Sequence, residues 1–497
     1  MLFENSKLKI ENSAKGQLTI QLLIFGGIAV ILLSGFLIWL DTITKTVIRG
    51  QDRAQALAIA EAGIEYYRWH LAHAPTDFQD GTTSTGPYTH PYYDKDGMAI
   101  GSFILDITPP PLGSSIVTIQ STGKIESDPS VQKMIKVKMG IPSFAQFAFV
   151  FNDSAHFGQG AQVFGPIMSN SGIRFDGTAY NLVSSALGTY NDPTHSGDNE
   201  FAAHTHVNPP PGSGINNNFI AAEAPPNPVP NRPDVFKAGR KLSVPAVDFT
   251  GITQNLAQMR VDSLSNGFHA STSGAFGYDV VLKTNDTFDL YKVTALVTPS
   301  SSCTNVLNQE GWGTWSIKTE QFLSNNPIPT NGIIFLDDNV WARGQINGSR
   351  VTIASAVFPD NQNTRTNITV NNNLTYTNLD GTDVLSLIAQ KNIRIGMVSD
   401  TNLTIHGALM AQNGSFSRYY YSPPGVFNNG CSPYHTRNSL TTFGMVGSNK
   451  VGGVAYSNGT GYQTRNYTYD GNLLYNPPPS FPLTTDSYKT LLWDELQ

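Results

Sequence analysis

Residues 18–40 form an almost unbroken apolar run, interrupted only by Thr19, Gln21 and Ser34. A helix crosses the hydrocarbon core of a bilayer with about 20 such residues, so this run predicts a membrane span. Lys7, Lys9 and Lys15 precede it. The positive-inside rule then places the N-terminus in the cytoplasm and the chain beyond about Asp41 on the other side. A cleavable secretory signal fits less well, because its apolar core is about 7–15 residues long and ends at a small-x-small site.

The next stretch sets this chain apart from one with a simple anchor. Residues 41–74 contain no proline, and Ile43, Val47, Gly50, Ala54, Leu57, Ala60, Ile64, Tyr67 and Leu71 recur at three- and four-residue steps. That spacing is one face of a helix, which Pro75 stops. One helix over 17–74 is expected to be roughly 85 Å long at about 1.5 Å per residue. Its first half is apolar all round and its second half amphipathic, which suits a helix packed under a globular head.

The segment Lys15-Gly16-Gln17-Leu18-Thr19-Ile20-Gln21-Leu22-Leu23 resembles the start of type IV pilins, minor pilins and pseudopilins. Their precursors carry a basic leader ending in glycine before a largely apolar helix. The run Ile59-Ala-Glu-Ala-Gly-Ile-Glu-Tyr-Tyr-Arg-Trp-His70 is similar to the helix of PilX-type minor pilins. The resemblance covers the chain to about Pro75. It implies cleavage by a prepilin peptidase between Gly16 and Gln17, and other pilin-like subunits as partners. Two positions depart from the family pattern: Gln17 stands where the first mature residue is usually apolar, and Gln21 where the fifth is usually Glu. In the family that glutamate neutralises a neighbour's terminal ammonium inside the membrane, where an unpaired charge is costly. Gln21 carries no countercharge, which together with the large head implies a minor or tip-like role.

From residue 99 to 140 the pattern changes to period two. Segments 102–107, 116–120 and 134–138 are predicted strands, divided by turns rich in Pro, Gly and Asp, and they predict a small antiparallel sheet on the second half of the helix. Beyond 141, Gly165-Pro-Ile-Met-Ser-Asn170, Gly407-Ala-Leu-Met-Ala-Gln412 and Gly444-Met-Val-Gly-Ser-Asn449 share one pattern of Gly, apolar, small and amide residues. Paired apolar positions such as Val351/Ile353, Ile368/Val370 and Ile393/Ile395 alternate with Asn, Asp and Gly. Short strands between polar corners predict a β-solenoid, with a β-sandwich as the alternative. The organisation expected is therefore a leader over 1–16, the helix over 17–75 and the sheet over 76–140. The solenoid starts at 141–180 and resumes at 330–497. A subdomain with a Pro-rich loop and a short helix is inserted at 181–329. The fold class is mainly β, with one long N-terminal helix and an α+β insertion.

Chemistry is sparse. The net charge of −6 provides no basic stripe for phosphates, so nucleic acid is not expected as a partner. No Gly-rich phosphate loop, His-Glu-x-x-His run or Gly-x-Ser-x-Gly elbow occurs. His195, His204 and His206 offer imidazoles, but with no Cys or carboxylate at zinc spacing they are read as solvated loop residues and no metal is expected. Asp337 with Asp338, and in the same way Asp279, Asp286 and Asp289, are read as solvated strand-end carboxylates, with a Ca²⁺ site or a pair of acting carboxylates as the alternative. Tyr419, Tyr420 and Tyr421, with Trp341, Tyr434 and Tyr462, form either an aromatic surface for a glycan or protein ligand or core packing. Cys303 and Cys431 are candidates for one disulfide in an exported head, or two separate buried thiols. The function expected is a non-enzymatic, cofactor-free, surface-displayed pilin-like subunit or adhesin. The alternative is a membrane-tethered carbohydrate-active β-helix enzyme, which requires carboxylates clustered on one solenoid face.

Overall fold

The computed structural model describes residues 14–496, with side chains at 14–17, 253 and 254 outside the description. The leader Lys7 and Lys9 lie outside the described residues. The described residues divide into two compact units, one formed by 14–107, 119–137 and 493–496 and the other by 108–118 and 138–492.

The first unit is built on helix α1, Ala14–His73. It ends two residues before Pro75, where the proline was expected to stop it. From Leu18 to Val47 its apolar side chains are exposed in the single chain. The helix becomes amphipathic in fact only from Ala56, where Ala56, Ile59, Ala60, Ile64, Tyr67 and Leu71 are fully buried. Ile43 and Val47, expected on the packed face, remain exposed. The covering sheet has the order Tyr88–Tyr93, Ala99–Thr108, Val117–Ile125, Gln132–Gly140, Lys489–Leu496. Its inward residues Phe103, Leu105, Ile119, Ile125, Ile135 and Val137 close on the helix. Each such side chain contributes about 1.5–3 kcal/mol relative to exposure. Gly123 permits the close approach: a Cβ there would collide with the backbone of Ala56 and Ala60.

The second unit is a stack of short parallel strands. One ladder runs Phe268–Ala270, Ile333–Leu336, Arg350–Ser355, Val384–Ala389, Asn402–Ala411 and Thr436–Ser448. It continues through Phe149–Phe151, Ile167–Ser169, Val183–Ser185 and Arg240–Lys241. A second ladder joins Gly277–Leu282, Val340–Ile346, Ile368–Thr369, Ile393–Ile395 and Phe416–Arg418. A third joins Thr436–Ser448, Gly461–Tyr469, Gln162–Phe164 and Thr178–Ala179. Parallel in-register ladders on successive faces make a β-solenoid; a sandwich would pair its strands antiparallel.

Two details explain the sequence pattern. The glycines that open two of the repeated motifs, Gly407 and Gly444, pair in register with φ of 136° and 146°. A Cβ on Gly444 would strike the Gly407 backbone, so the bend at that level needs glycine in both coils. Asn339, Asn367 and Asn392 form a ladder at another corner, with Asn392 Nδ2 donating to Asn367 Oδ1 at 2.8 Å and Asn367 Nδ2 to Asn339 Oδ1 at 3.1 Å.

The order of the stack is not the order of the chain. The coils over 149–241 and those over 268–469 meet where Val446, Gly447 and Ser448 pair with Phe149, Val150 and Phe151. The stretch 181–329 holds α2 (Gly251–Asn266) and an antiparallel extension, Gly277–Leu282 with Thr287–Leu296 and Ile317–Pro327. It also supplies strands to the ladder at 183–185, 240–241 and 268–270. Ile252, Leu256 and Met259 of α2 pack with Phe144, Phe249, Ile333 and Phe335, whereas Leu264 is exposed.

Candidate functional sites

Among the described residues α1 is one helix long and apolar enough to cross a membrane. Gly16 and Gln17 lie in its first turns, with side chains outside the description, and Gln21 sits one turn further on, exposed.

The residues singled out as strand-end carboxylates are mostly held in structural bonds. Asp337 accepts from Arg260 Nη2 at 2.8 Å and lies 3.1 Å from His269 Nε2. Asp338 accepts from the Ser273 amide at 2.8 Å and its hydroxyl at 2.6 Å. Asp286 accepts from the Ser349 hydroxyl. Asp289 pairs with Lys283 at 2.6 Å.

Asp279 differs. It sits on the strand Gly277–Leu282, fully buried, with Arg343 Nη2 at 2.8 Å, and the same guanidinium reaches Glu320 at 2.9 Å. Asp279 Oδ1 and Glu320 Oε2 have no hydrogen-bond partner. Burial pushes the Asp279 carboxyl up to about 7; Arg343 pulls it down and neighbouring Glu320 adds to the rise. These groups line a groove of about 360 Å³ with Trp341, Lys318 and Asn371. Two carboxylates with one cation on a solenoid face form a group that sequence spacing gave no sign of, because the residues come from three strands.

The histidines contradict the expectation of a solvated loop. His204 and His206 are fully buried, and the His195 side chain is only 6% exposed. Asp192 and Glu200, buried with them, converge on the same point. The backbone of 188–206 turns back on itself, pairing Thr189–Tyr190 with Glu200–Phe201 antiparallel and laying Ala203–His204 beside Ile173–Phe175. Burial raises the Asp192 carboxyl, but the adjacent His204 ring and the Thr194 amide and hydroxyl hold it below the usual carboxylate range. Glu200 is lowered too: burial opposes this, and His206 and the Ile220 amide outweigh it.

Cys303 and Cys431 are disulfide-bonded, with Cα atoms 4.5 Å apart and 128 residues between them in sequence. They sit among Met397, Tyr419 and Tyr421. Tyr419, Tyr421, Trp341 and Tyr462 are buried and serve as packing, whereas Tyr420 and Tyr434 are half-buried. Arg394 stacks over Tyr419 and Arg418 over Tyr421, at 4.2 and 4.5 Å from the ring centres. A cavity of about 610 Å³ opens where the two sets of coils meet, lined by Phe149, Phe151, Phe157, Phe416, Val454 and Tyr467.

No family model matches the sequence. No curated protein matches it either. Among solved structures, the crystal structure of the competence-associated pilin ComZ from Thermus thermophilus matches over 90% of this chain and 97% of its own, at 13% identity and a TM-score of 0.32.

Proposed function

We propose that the chain is a pilin-like subunit, anchored by α1 and displaying a non-enzymatic β-solenoid head at the cell surface, in a minor or tip-like position of a pilus or pseudopilus or as an adhesin. The observation that carries this reading is the two-part helix. One continuous helix of 60 residues leaves its apolar first half bare and buries the second half under a small sheet. A lone anchor has no use for the packed half, and a soluble helix has no use for the bare one. Membrane lipid and the helices of neighbouring subunits are the partners that cover such a surface, and a prepilin peptidase is the processing enzyme. The absence of an acid at Gln21 agrees with a subunit that has no neighbour's ammonium to neutralise. The test is the N-terminal residue of the protein recovered from its native membrane, read by mass spectrometry. A mature chain beginning at Gln17 supports the reading; a chain still beginning at Met1 overturns it and leaves a stalked surface protein.

The groove at Asp279 favours one second reading, a membrane-tethered enzyme acting on polysaccharide. Asp279, its carboxyl raised to about 7 by burial, would serve as the acid, with Glu320 and Arg343 beside it. Incubating the full-length protein in detergent with a polysaccharide panel separates the readings. Turnover that Asp279→Asn abolishes would displace the non-enzymatic one.

A further inference from the structure

The buried group at 192–206 carries an inference of a different kind. Three imidazoles present the same edge to it. His206 Nδ1 lies 2.6 Å from the Asn216 carbonyl, His204 Nδ1 3.1 Å from the Phe201 carbonyl, and His195 Nδ1 3.3 Å from the Ser196 carbonyl. A carbonyl oxygen only accepts, so each Nδ1 carries a proton and, in the neutral ring, each Nε2 is a bare lone pair.

All three Nε2 atoms face carboxylate oxygens, which are lone pairs as well. Glu200 Oε2 lies 3.0 Å from His195 Nε2, 3.2 Å from His204 Nε2 and 3.4 Å from His206 Nε2. Asp192 Oδ2 lies 3.3 Å from His204 Nε2 and 3.6 Å from His195 Nε2. With the rings neutral none of these contacts is a hydrogen bond; His195 and His206 donate to Glu200 only as imidazolium cations. His204 Nε2 and Asp192 Oδ2 are buried with no partner of acceptable geometry. Lone pairs aimed at one another in a buried site call for a shared cation.

The remaining atoms of the group are already held. Asp192 Oδ1 accepts from the Thr194 amide at 2.9 Å and its hydroxyl at 2.8 Å, and Glu200 Oε1 accepts from the Ile220 amide at 2.9 Å. Asp176, also buried, takes Arg174 at 2.7 Å, and the same guanidinium reaches Asp192 Oδ2 only at 3.9 Å, so that cation is largely matched. Asp192 and Glu200 then leave two negative charges without a full countercharge, the deficit that one divalent ion meets.

We propose that Asp192, His195, Glu200, His204 and His206 bind one divalent first-row transition-metal ion of the zinc type. Imidazole is a poor ligand for Ca²⁺ and Mg²⁺, which take oxygen, and a good one for Zn²⁺, Co²⁺ and Ni²⁺. The nitrogen and oxygen atoms of Asp192, His195, Glu200 and His206 lie within 4.8 Å of one another. Ligand atoms about 2.0–2.1 Å from a tetrahedral zinc ion lie about 3.4 Å apart, so the widest-spaced members of the set close by up to about 1.4 Å on binding. The carbonyls on Nδ1 are the outer partners that fix a ligating histidine's tautomer and ring plane. With up to five protein ligands and almost no exposure the site is closed, hence structural: it clasps the loop 191–199 to the strand Ala203–His204 and the turn at 216.

The test uses the full-length protein in detergent, stripped with a chelator, desalted and offered Zn²⁺ in slight excess. The expected result is about one zinc per chain after a second desalting. A higher thermal midpoint that chelator reverses, and an intense visible spectrum when Co²⁺ replaces Zn²⁺, should accompany it. His195→Ala, in a loop whose other residues at 193–199 are exposed, and the isosteric Glu200→Gln should weaken zinc binding by at least tenfold, while His156→Gln, outside the group, should not. Stoichiometric zinc that both ligand variants retain with wild-type affinity would place the ion elsewhere and overturn the assignment. So would a wild-type chain that keeps no zinc and melts at the same temperature with and without it. Stoichiometry and the Co²⁺ spectrum are read on the wild type, so they stand even if a variant fails to fold.

Discussion

Val446 pairs in parallel register with Phe149, so the final coils of the head close on its first ones and the stack has a seam in its interior. At that seam Asn152 Nδ2 also donates to Asn449 Oδ1 at 2.9 Å across a sequence separation of 297 residues. Coils on each side are built from local neighbours, but the seam itself joins distant parts of the chain. Closing it orders a very long loop, and such contacts form late unless something holds the ends together.

Phe149 is therefore the residue to test for cooperativity of the head. It is buried and meets Phe157 from its own segment and Tyr467 from the other, with ring centres 5.1 Å away in both cases. Phe149→Ala is expected to cost about 3–5 kcal/mol. Denaturant unfolding followed by tryptophan fluorescence reads this directly, since Trp312, Trp315 and Trp341 all lie in the coils over 268–469. The control is Phe427→Ala, at a side chain 98% exposed, which should move stability by no more than about 0.5 kcal/mol. Equal effects of the two would mean that the seam contributes nothing.

Two glycines of the first unit should respond to alanine with opposite signs. At Gly123 a Cβ meets the backbone of α1, which cannot step aside, so Gly123→Ala should cost about 1–3 kcal/mol and loosen the sheet from the helix. At Gly50, within α1, a Cβ meets nothing within 4 Å. Gly50→Ala should firm the exposed middle of the helix by about 0.8–1 kcal/mol. Amide hydrogen exchange along α1 checks both: faster around residues 56–60 in the first variant, slower around residue 50 in the second.

These contrasts bear on what the sequence could disclose. Hydropathy and Pro75 delimit α1 well, because membrane-spanning length and helix stops are local properties. Period-two alternation gave the three middle strands of the small sheet, but the strand Tyr88–Tyr93 carries Pro91 and escaped notice. Proline is tolerated there because the strand lies at the sheet edge. The strand Lys489–Leu496 alternates little in burial and takes its place from a partner far away in the chain. The solenoid was legible in its Gly and Asn corners, while the meeting of 149–151 with 446–448 was not, since any parallel strand of similar pattern could pair there. The histidine group went unread for a comparable reason. Its ligand-type residues are dense in one short window, Asp192, His195, Glu200, His204 and His206, but irregular turns set the spacing, not a helix or a knuckle. Density of such residues, without regard to spacing, was the available signal.

The Asp279 carboxyl supplies a test of the groove that needs no substrate. Its folded value, near 7, lies above the ordinary carboxylate value near 4, so between those two pH values the folded chain binds more proton at this site than the unfolded chain. Stability from this group is fully present below about pH 4 and is lost as pH rises through 7, at a slope of up to about 1.4 kcal/mol per pH unit. Asp192 and Glu200 are held low, so they act in the opposite sense and below this window. In Asp279→Asn the site no longer titrates. Subtracting the variant's stability from that of the wild type, by denaturant unfolding from pH 4 to pH 7.5, should leave a difference that falls steadily with pH. A difference that is flat across the range would mean that Arg343, at 2.8 Å, holds Asp279 ionised throughout, and the groove would then carry no protonated acid at neutral pH.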